Sequence, residues 1–226
     1  MHLPRLAEHP RASSLRSFAF ALGAMFLLSH MTGCKVAGWV AHGIVGDDDG
    51  KVEVVSEYQG LKGKKVAVLV SADERTLYWH PKAPLNTCTA ISSALSQSVA
   101  GIELVRPSEV MAFQAKSPYW VAVPYGELAK ELKVDRLVVV SLARYSVHEP
   151  GNKELWQGNM AGRVSVAEAD GKDPDNFVYA KTIAVKFPED RPMGVVNANE
   201  ETIELGMLKL FSARVGKLLS DKKPED

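Results

Sequence analysis

From residue 64 onward the chain alternates between short apolar runs and stretches with helical spacing. Lys64-Lys65-Val66-Ala67-Val68-Leu69-Val70 is a largely apolar run of the kind that forms a strand buried on both faces. A loop is expected over 71–85, then a helix over about 86–100. Ile91, Leu95, Ser98 and Val99 repeat there with Ala94 at helical spacing, and Asn86 or Thr87 is the expected cap. Residues 102–105 read as a second strand. Pro107-Ser108-Glu109 opens a short helix, since proline is tolerated in a first turn. The aromatic loop Ser117-Pro118-Tyr119-Trp120 leads to a helix over about 125–132. The strongest strand is 134–147, centred on Leu137-Val138-Val139-Val140.

Beyond that strand the period is two. Met160, Gly162, Val164 and Val166 share one face of 154–168, and Phe177, Tyr179, Ile183, Val185 and Phe187 share one face of 176–187. The polar turn Ala169-Asp170-Gly171-Lys172-Asp173-Pro174-Asp175 between them predicts a hairpin with a long loop. A last helix, about 199–220, has Ile203, Met207, Leu210, Phe211, Val215 and Leu218 as its core stripe. Its acids Glu200, Glu201 and Glu204 lie near the start and Arg214 and Lys217 near the end, which matches the helix dipole. The order β-α-β-α-α-β, then an antiparallel pair and a helix, predicts an α/β or α+β domain, a mixed sheet of about five strands covered by helices.

An apolar run of a different kind occupies 18–28. It follows Arg5, Arg11 and Arg16 and is shorter than the roughly 20 residues a transmembrane helix needs. It ends at Met31-Thr32-Gly33-Cys34, which resembles the lipobox of a bacterial lipoprotein signal peptide. The resemblance implies cleavage before Cys34, acylation of Cys34 with fatty chains such as palmitate, and a mature protein anchored in the cell envelope. Two acyl chains already hold a protein stably, at about 0.8 kcal/mol per buried methylene, and the lipoprotein modification would supply three. Lys35 after the cysteine implies the outer membrane, with the domain facing the periplasm. The same residues leave open an ordinary secreted protein and a retained N-terminal anchor.

The expected organisation is a signal peptide over 1–33, a membrane tether over 34–63 and one globular domain over 64–226. Within the tether, Val36, Val40 and Ile44 can form one face of a short interfacial helix with Trp39 at headgroup level, or a mobile segment, because the interspersed glycines weaken a helix. As coil, about 30 residues span roughly 30 Å.

Charge narrows the partners. The chain has 27 basic and 27 acidic residues. Loss of 1–33 removes three Arg and one Glu and leaves a small negative balance, with no overall basic field for nucleic acid. Besides Cys34 the only cysteine is Cys88, which sits on the apolar stripe of a predicted helix and reads as a small buried hydrophobe rather than a reactive thiol.

The segment Tyr125-Gly126-Glu127-Leu128-Ala129-Lys130-Glu131-Leu132-Lys133-Val134-Asp135-Arg136-Leu137-Val138-Val139-Val140 is similar to a group of bacterial envelope proteins. The group comprises the curli-secretion lipoprotein family, the outer-membrane activators of penicillin-binding proteins and the N-terminal domain of the Tol translocation protein. The opening strand and the Val105-Arg106-Pro107 junction fit as well, so the resemblance covers roughly 64–168. Arg136 stands where the family more often has an aromatic. The resemblance implies an envelope binding or assembly module and carries over no catalytic residue.

Motifs for other chemistry fail on spacing. Gly60-Leu61-Lys62-Gly63-Lys64-Lys65 ends without the Ser or Thr of a phosphate loop and precedes a strand instead of following one. Asp47-Asp48-Asp49-Gly50 lacks acids at the first and last positions of a calcium loop. His42, His80 and His148 are scattered, so no metal is expected, and no Gly-x-Ser-x-Gly elbow is present. Two aromatic pairs remain as candidate partner-binding residues, Tyr78-Trp79 and Tyr119-Trp120. Each either anchors a partner or closes an edge of the core. The expected function is a non-catalytic envelope lipoprotein that binds a protein partner or helps assemble a complex, with no cofactor. The alternatives are a small-ligand or lipid-handling module, suggested by the alternating apolar strands, and an enzyme of a type these motifs do not disclose.

Overall fold

The structure is a computed structural model and describes residues 56–194 and 196–220. Its elements in order are β1 (Lys65–Ala72), α1 (Glu74–Trp79), α2 (Ala83–Ser98), β2 (Glu103–Leu104), α3 (Pro107–Lys116), a 3-10 turn (Trp120–Ala122), α4 (Tyr125–Leu132), β3 (Arg136–Glu149), β4 (Asn152–Glu168), β5 (Phe177–Phe187), β6 (Met193–Gly194) and α5 (Glu200–Leu218). The sheet order is β2-β1-β3-β4-β5, with β6 paired to β4. β2 and β3 lie parallel to β1, while β3, β4 and β5 run antiparallel. This is the mixed α/β sheet expected, with a sixth strand added.

β1 lacks alternation because both its faces are covered. Val66, Val68 and Val70 face one layer, where α2 and α5 supply Ile91, Leu95, Ile203, Met207 and Phe211. Ala67 and Leu69 face the other, where α3 and α4 supply Val110, Leu128 and Ala129. On the first face β4 approaches α5 so closely that a Cβ on Gly158 would lie 3.0 Å from Ile203 Cγ2 and Met207 Cβ, which accounts for glycine there.

Several boundaries differ from the expectation for identifiable reasons. The loop expected over 71–85 contains α1, nucleated by Asp73, whose side chain accepts from Thr76 N at 2.7 Å. α2 starts at Ala83, with Pro84 in its first turn and Lys82 as the cap residue. Neither Asn86 nor Thr87 caps it; Thr87 is fully buried and the Asn86 amide donates to Glu204 Oε1. β3 and β4 pair as one long hairpin. α5 is capped by Asn199, which accepts from Thr202 N at 2.8 Å.

The domain also starts before residue 64. Chain contacts divide the protein after Lys51, and the described residues belong to the unit Val52–Asp226. Residues 56–63, expected as the end of the tether, lie against the domain as a strap. Leu61 is fully buried, and the Glu57 and Tyr58 amides both donate to Leu218 O, at 2.9 and 3.1 Å. The Tyr58 phenol donates to Glu168 Oε1 at 2.6 Å, and Glu57 receives the Lys181 ammonium at 2.9 Å.

Among the described residues, the second face of the sheet is covered only in part. Past Leu137 and Val139 the registers run Ser141–Arg163–Thr182, then Arg144–Ala161–Ala184, then Ser146–Asn159–Lys186 across β3, β4 and β5. A register shift between Leu142 and Arg144 leaves Ala143 unpaired. Because a one-residue slip exchanges faces, this bulge turns Arg144 to the second face and Tyr145 to the core.

Candidate functional site

α1 has six residues, and its capping Asp73 comes directly after β1. Thr76 is its buried residue, so Leu77, Tyr78 and Trp79 are left outward. Tyr78 is 77% exposed and Trp79 66%, and their rings meet edge to face at 5.0 Å. Two large rings in solvent are a liability in a monomer unless they serve a contact.

His80, just past the end of α1, fastens the helix to the core. Its amide donates to Thr76 O at 2.7 Å, and its ring packs on Tyr145 with centroids 5.2 Å apart. His80 Nδ1 lies 3.5 Å from Glu200 Oε1 at the start of α5. One helical turn on, Glu204 Oε1 accepts from the Tyr145 phenol at 2.5 Å and from the Asn86 amide at 3.3 Å. Burial, then the Glu204 carboxylate, hold the Tyr145 phenol well above the usual tyrosine range. β3, α2 and α5 thus converge under the aromatic pair. The arrangement fixes the pair's position and supplies a protonated phenol to a carboxylate.

The second aromatic pair is divided. Tyr119 is 81% exposed, but Trp120 is buried in the second-face core beside Leu128 and Ala129. Trp120 closes the core and offers no surface to a partner. Trp120 belongs to the second-face core, whereas Tyr145, on which His80 packs, belongs to the first. Cys34, the expected lipidation residue, lies outside the described residues. Cys88 is fully buried and donates to Val68 O at 3.2 Å, and burial pushes its thiol up to about 11.

A second polar cluster lies where the strap meets the sheet. Arg136 is buried at the start of β3, opposite Glu168 in register. It pairs with Glu168 at 3.5 Å and with Asp170. Lys64 also pairs with Asp170, at 2.7 Å, and these two cations, Lys64 foremost, hold the Asp170 carboxyl below its ordinary range. Arg136 is therefore the hub through which Glu168 and Tyr58 fasten the strap. Sequence reasoning missed Tyr145, Glu204 and Arg136 because their partners are distant in the chain. The Asp73-x-x-Thr76 capping spacing was the one local signal available.

Among the described residues no group of three His, Cys, Asp or Glu could hold a metal ion, and no helix is long and apolar enough to cross a membrane. No family model matches the sequence, and no curated protein matches it. Solved structures that align with this chain include PelC from Paraburkholderia phytofirmans, solved as a dodecamer, at 8% identity and a TM-score of 0.44, covering 74% of this chain and 94% of that one. Lipoprotein GNA1162 from Neisseria meningitidis aligns at 12% identity and a TM-score of 0.42, over 68% of this chain and 96% of that one. Protein XCC0632 from Xanthomonas campestris aligns at 10% identity and a TM-score of 0.43, over 72% and 88%.

Proposed function

We propose that this protein is an envelope lipoprotein, acylated at Cys34, whose domain is a non-catalytic module that docks a protein partner through Tyr78 and Trp79. The observation that carries the docking role is the exposure of these two rings on a helix too short to wander, capped by Asp73 and fastened through His80 to Tyr145 and Glu200. The apolar run over 18–28 ending at Met31-Thr32-Gly33-Cys34 supports the anchor, Lys35 supports the outer membrane facing the periplasm, and the segment from Tyr125 to Val140 supports kinship with the curli-secretion, penicillin-binding-protein-activator and Tol group.

The alternative of a small-ligand or lipid-handling module drew on the alternating apolar strands. Met160, Val164, Val166, Ile183 and Val185 are packed in the core with residues of α2 and α5, which favours docking over an internal ligand. Two measurements test the proposal. Intact mass of the membrane fraction should show the acylated mature chain, and Cys34→Ala should abolish both the added mass and membrane retention. A photo-crosslinker at position 78 or 79 in intact envelopes should trap one defined protein that a crosslinker at Lys172 does not. Capture of nothing from 78, 79 and 119 alike would end the docking role.

A further inference from the structure

The uncovered half of the sheet's second face carries a concentration of charge that the composition hides. Arg163, Arg144 and Lys186 stand on β4, β3 and β5 in three successive rows, all exposed. From strand spacing and rise they lie within about 15 Å of one another. No carboxylate stands in these rows, and none of the three makes an ion pair among the described residues. Arg214 adds a fourth cation at the rim, reaching round from α5 to donate to Ala184 O at 2.7 Å on the edge strand. Lys64, Lys65, Arg106, Arg136 and Lys181, by contrast, each have an acidic partner.

We infer that this face docks on an anionic membrane surface, with lipid phosphates held by Arg144, Arg163 and Lys186. The charge and the small side chains of the face favour this occupant. The residues between the cations are short: Ala161, Ala184, Ser141 and Thr182. The rows contain no large apolar or aromatic side chain that would fill a pocket on a protein partner. Single-stranded nucleic acid is gripped by aromatic stacking, for which the rows have no ring. A charged bilayer asks for a positive field and hydrogen-bond donors, and those are present. The placement is specific, since without the bulge at Ala143 Arg144 would face the core. The inference does not depend on acylation, because these residues belong to the folded domain and not to the segment bearing Cys34.

The test uses the whole chain carrying Cys34→Ala, so that no acyl group contributes, and vesicles of pure phosphatidylcholine or of phosphatidylcholine with 30% phosphatidylglycerol. Co-sedimentation should show tighter binding to the anionic vesicles, weakening as salt is raised. Neutralising each cation should weaken it about fivefold, and Arg144→Gln, Arg163→Gln and Lys186→Gln together about a hundredfold at low salt. Binding to neutral vesicles, where any apolar N-terminal segment acts alone, should be the same for both chains. All three positions are exposed, so matching thermal unfolding of the triple variant confirms its fold. Equal binding of both chains to anionic vesicles would overturn the inference, as would retention on soluble dextran sulfate without any preference for anionic vesicles. Failure here leaves the mass and crosslinking tests of Cys34, Tyr78 and Trp79 untouched.

Discussion

Tyr145 and Glu204 join the sheet to the last helix through one short hydrogen bond, the phenol donating to Oε1 at 2.5 Å. Tyr145 is buried, and the same carboxylate oxygen accepts from Asn86, so the bond ties β3, α2 and α5 at one point. Tyr145→Phe keeps the ring against His80 and removes the donor. A hydrogen bond to a charged group is worth about 1.5–3 kcal/mol, so the unfolding midpoint should fall by about 5 °C. An unchanged midpoint would mean that water replaces the phenol without cost.

The same bond sets an alkaline limit. The Tyr58, Tyr145 and Tyr179 phenols are all held above the usual tyrosine range, in each case mainly by burial, aided by Glu168, Glu204 and Glu57 respectively. Their unfolded phenols ionise near 10 while the folded ones do not, so the folded state binds more protons above that pH. The stability they contribute is therefore complete below pH 10 and is lost as pH rises toward their folded values. Denaturant titrations between pH 9 and 11 should show this decline. Tyr145→Phe should make it shallower by up to about 1.4 kcal/mol per pH unit.

Cys88 should be silent toward thiol reagents. With its pKa near 11, about one thiol in a thousand is ionised at pH 8, and the side chain is closed to solvent besides. Ellman's reagent should label Cys88 in denaturant and leave it unmodified in the native chain over minutes. Rapid native labelling would show that α2 opens from β1.

Trp79 and Trp120 should part company. Trp120→Ala removes a buried ring from the second-face core and should cost about 3–5 kcal/mol. Trp79→Ala strips an exposed ring and should change stability by less than about 0.5 kcal/mol while abolishing the crosslink from position 78. If Trp79→Ala destabilised the domain as much as Trp120→Ala, the surface role assigned to α1 would be void.

The range of each interaction decided how legible it was in the sequence. Residues 125–132 form α4 as expected, and the alternation over 154–168 and 176–187 gives the β4–β5 hairpin, because a face buried along its length stamps its period on the residues. α1 was missed because six residues hold less than two turns and bury one side chain. Tyr145–Glu204 spans 59 residues and Tyr58–Glu168 spans 110, so no local pattern records either. The cationic face is hidden twice, by an overall charge balance of zero and by a bulge at Ala143 that alternation does not foretell. Trp120 illustrates the converse: a Pro-aromatic sequence looks like an exposed loop whether its ring points out, as Tyr119 does, or in.

The strap offers the sharpest test of where the domain begins. Leu61 is fully buried against the first-face core, Tyr58 reaches Glu168, and Glu57 binds Lys181, so residues 56–63 contribute packing as well as an exit for the chain. Leu61→Ala should cost about 2–5 kcal/mol, since a buried leucine leaves a cavity that fixed neighbours do not fill. A chain beginning at residue 64 loses that packing together with both backbone bonds to Leu218 O, and should unfold at lower denaturant than one beginning at Ser56. Arg136 responds in a way that separates fastening from packing. Without Tyr58 its partners Glu168 and Asp170 persist, so Tyr58→Phe should cost only about 1–2 kcal/mol, and combining it with Leu61→Ala should approach the cost of removing the strap. Equal stability of the chains from 56 and from 64 would place residues 56–63 back in the tether.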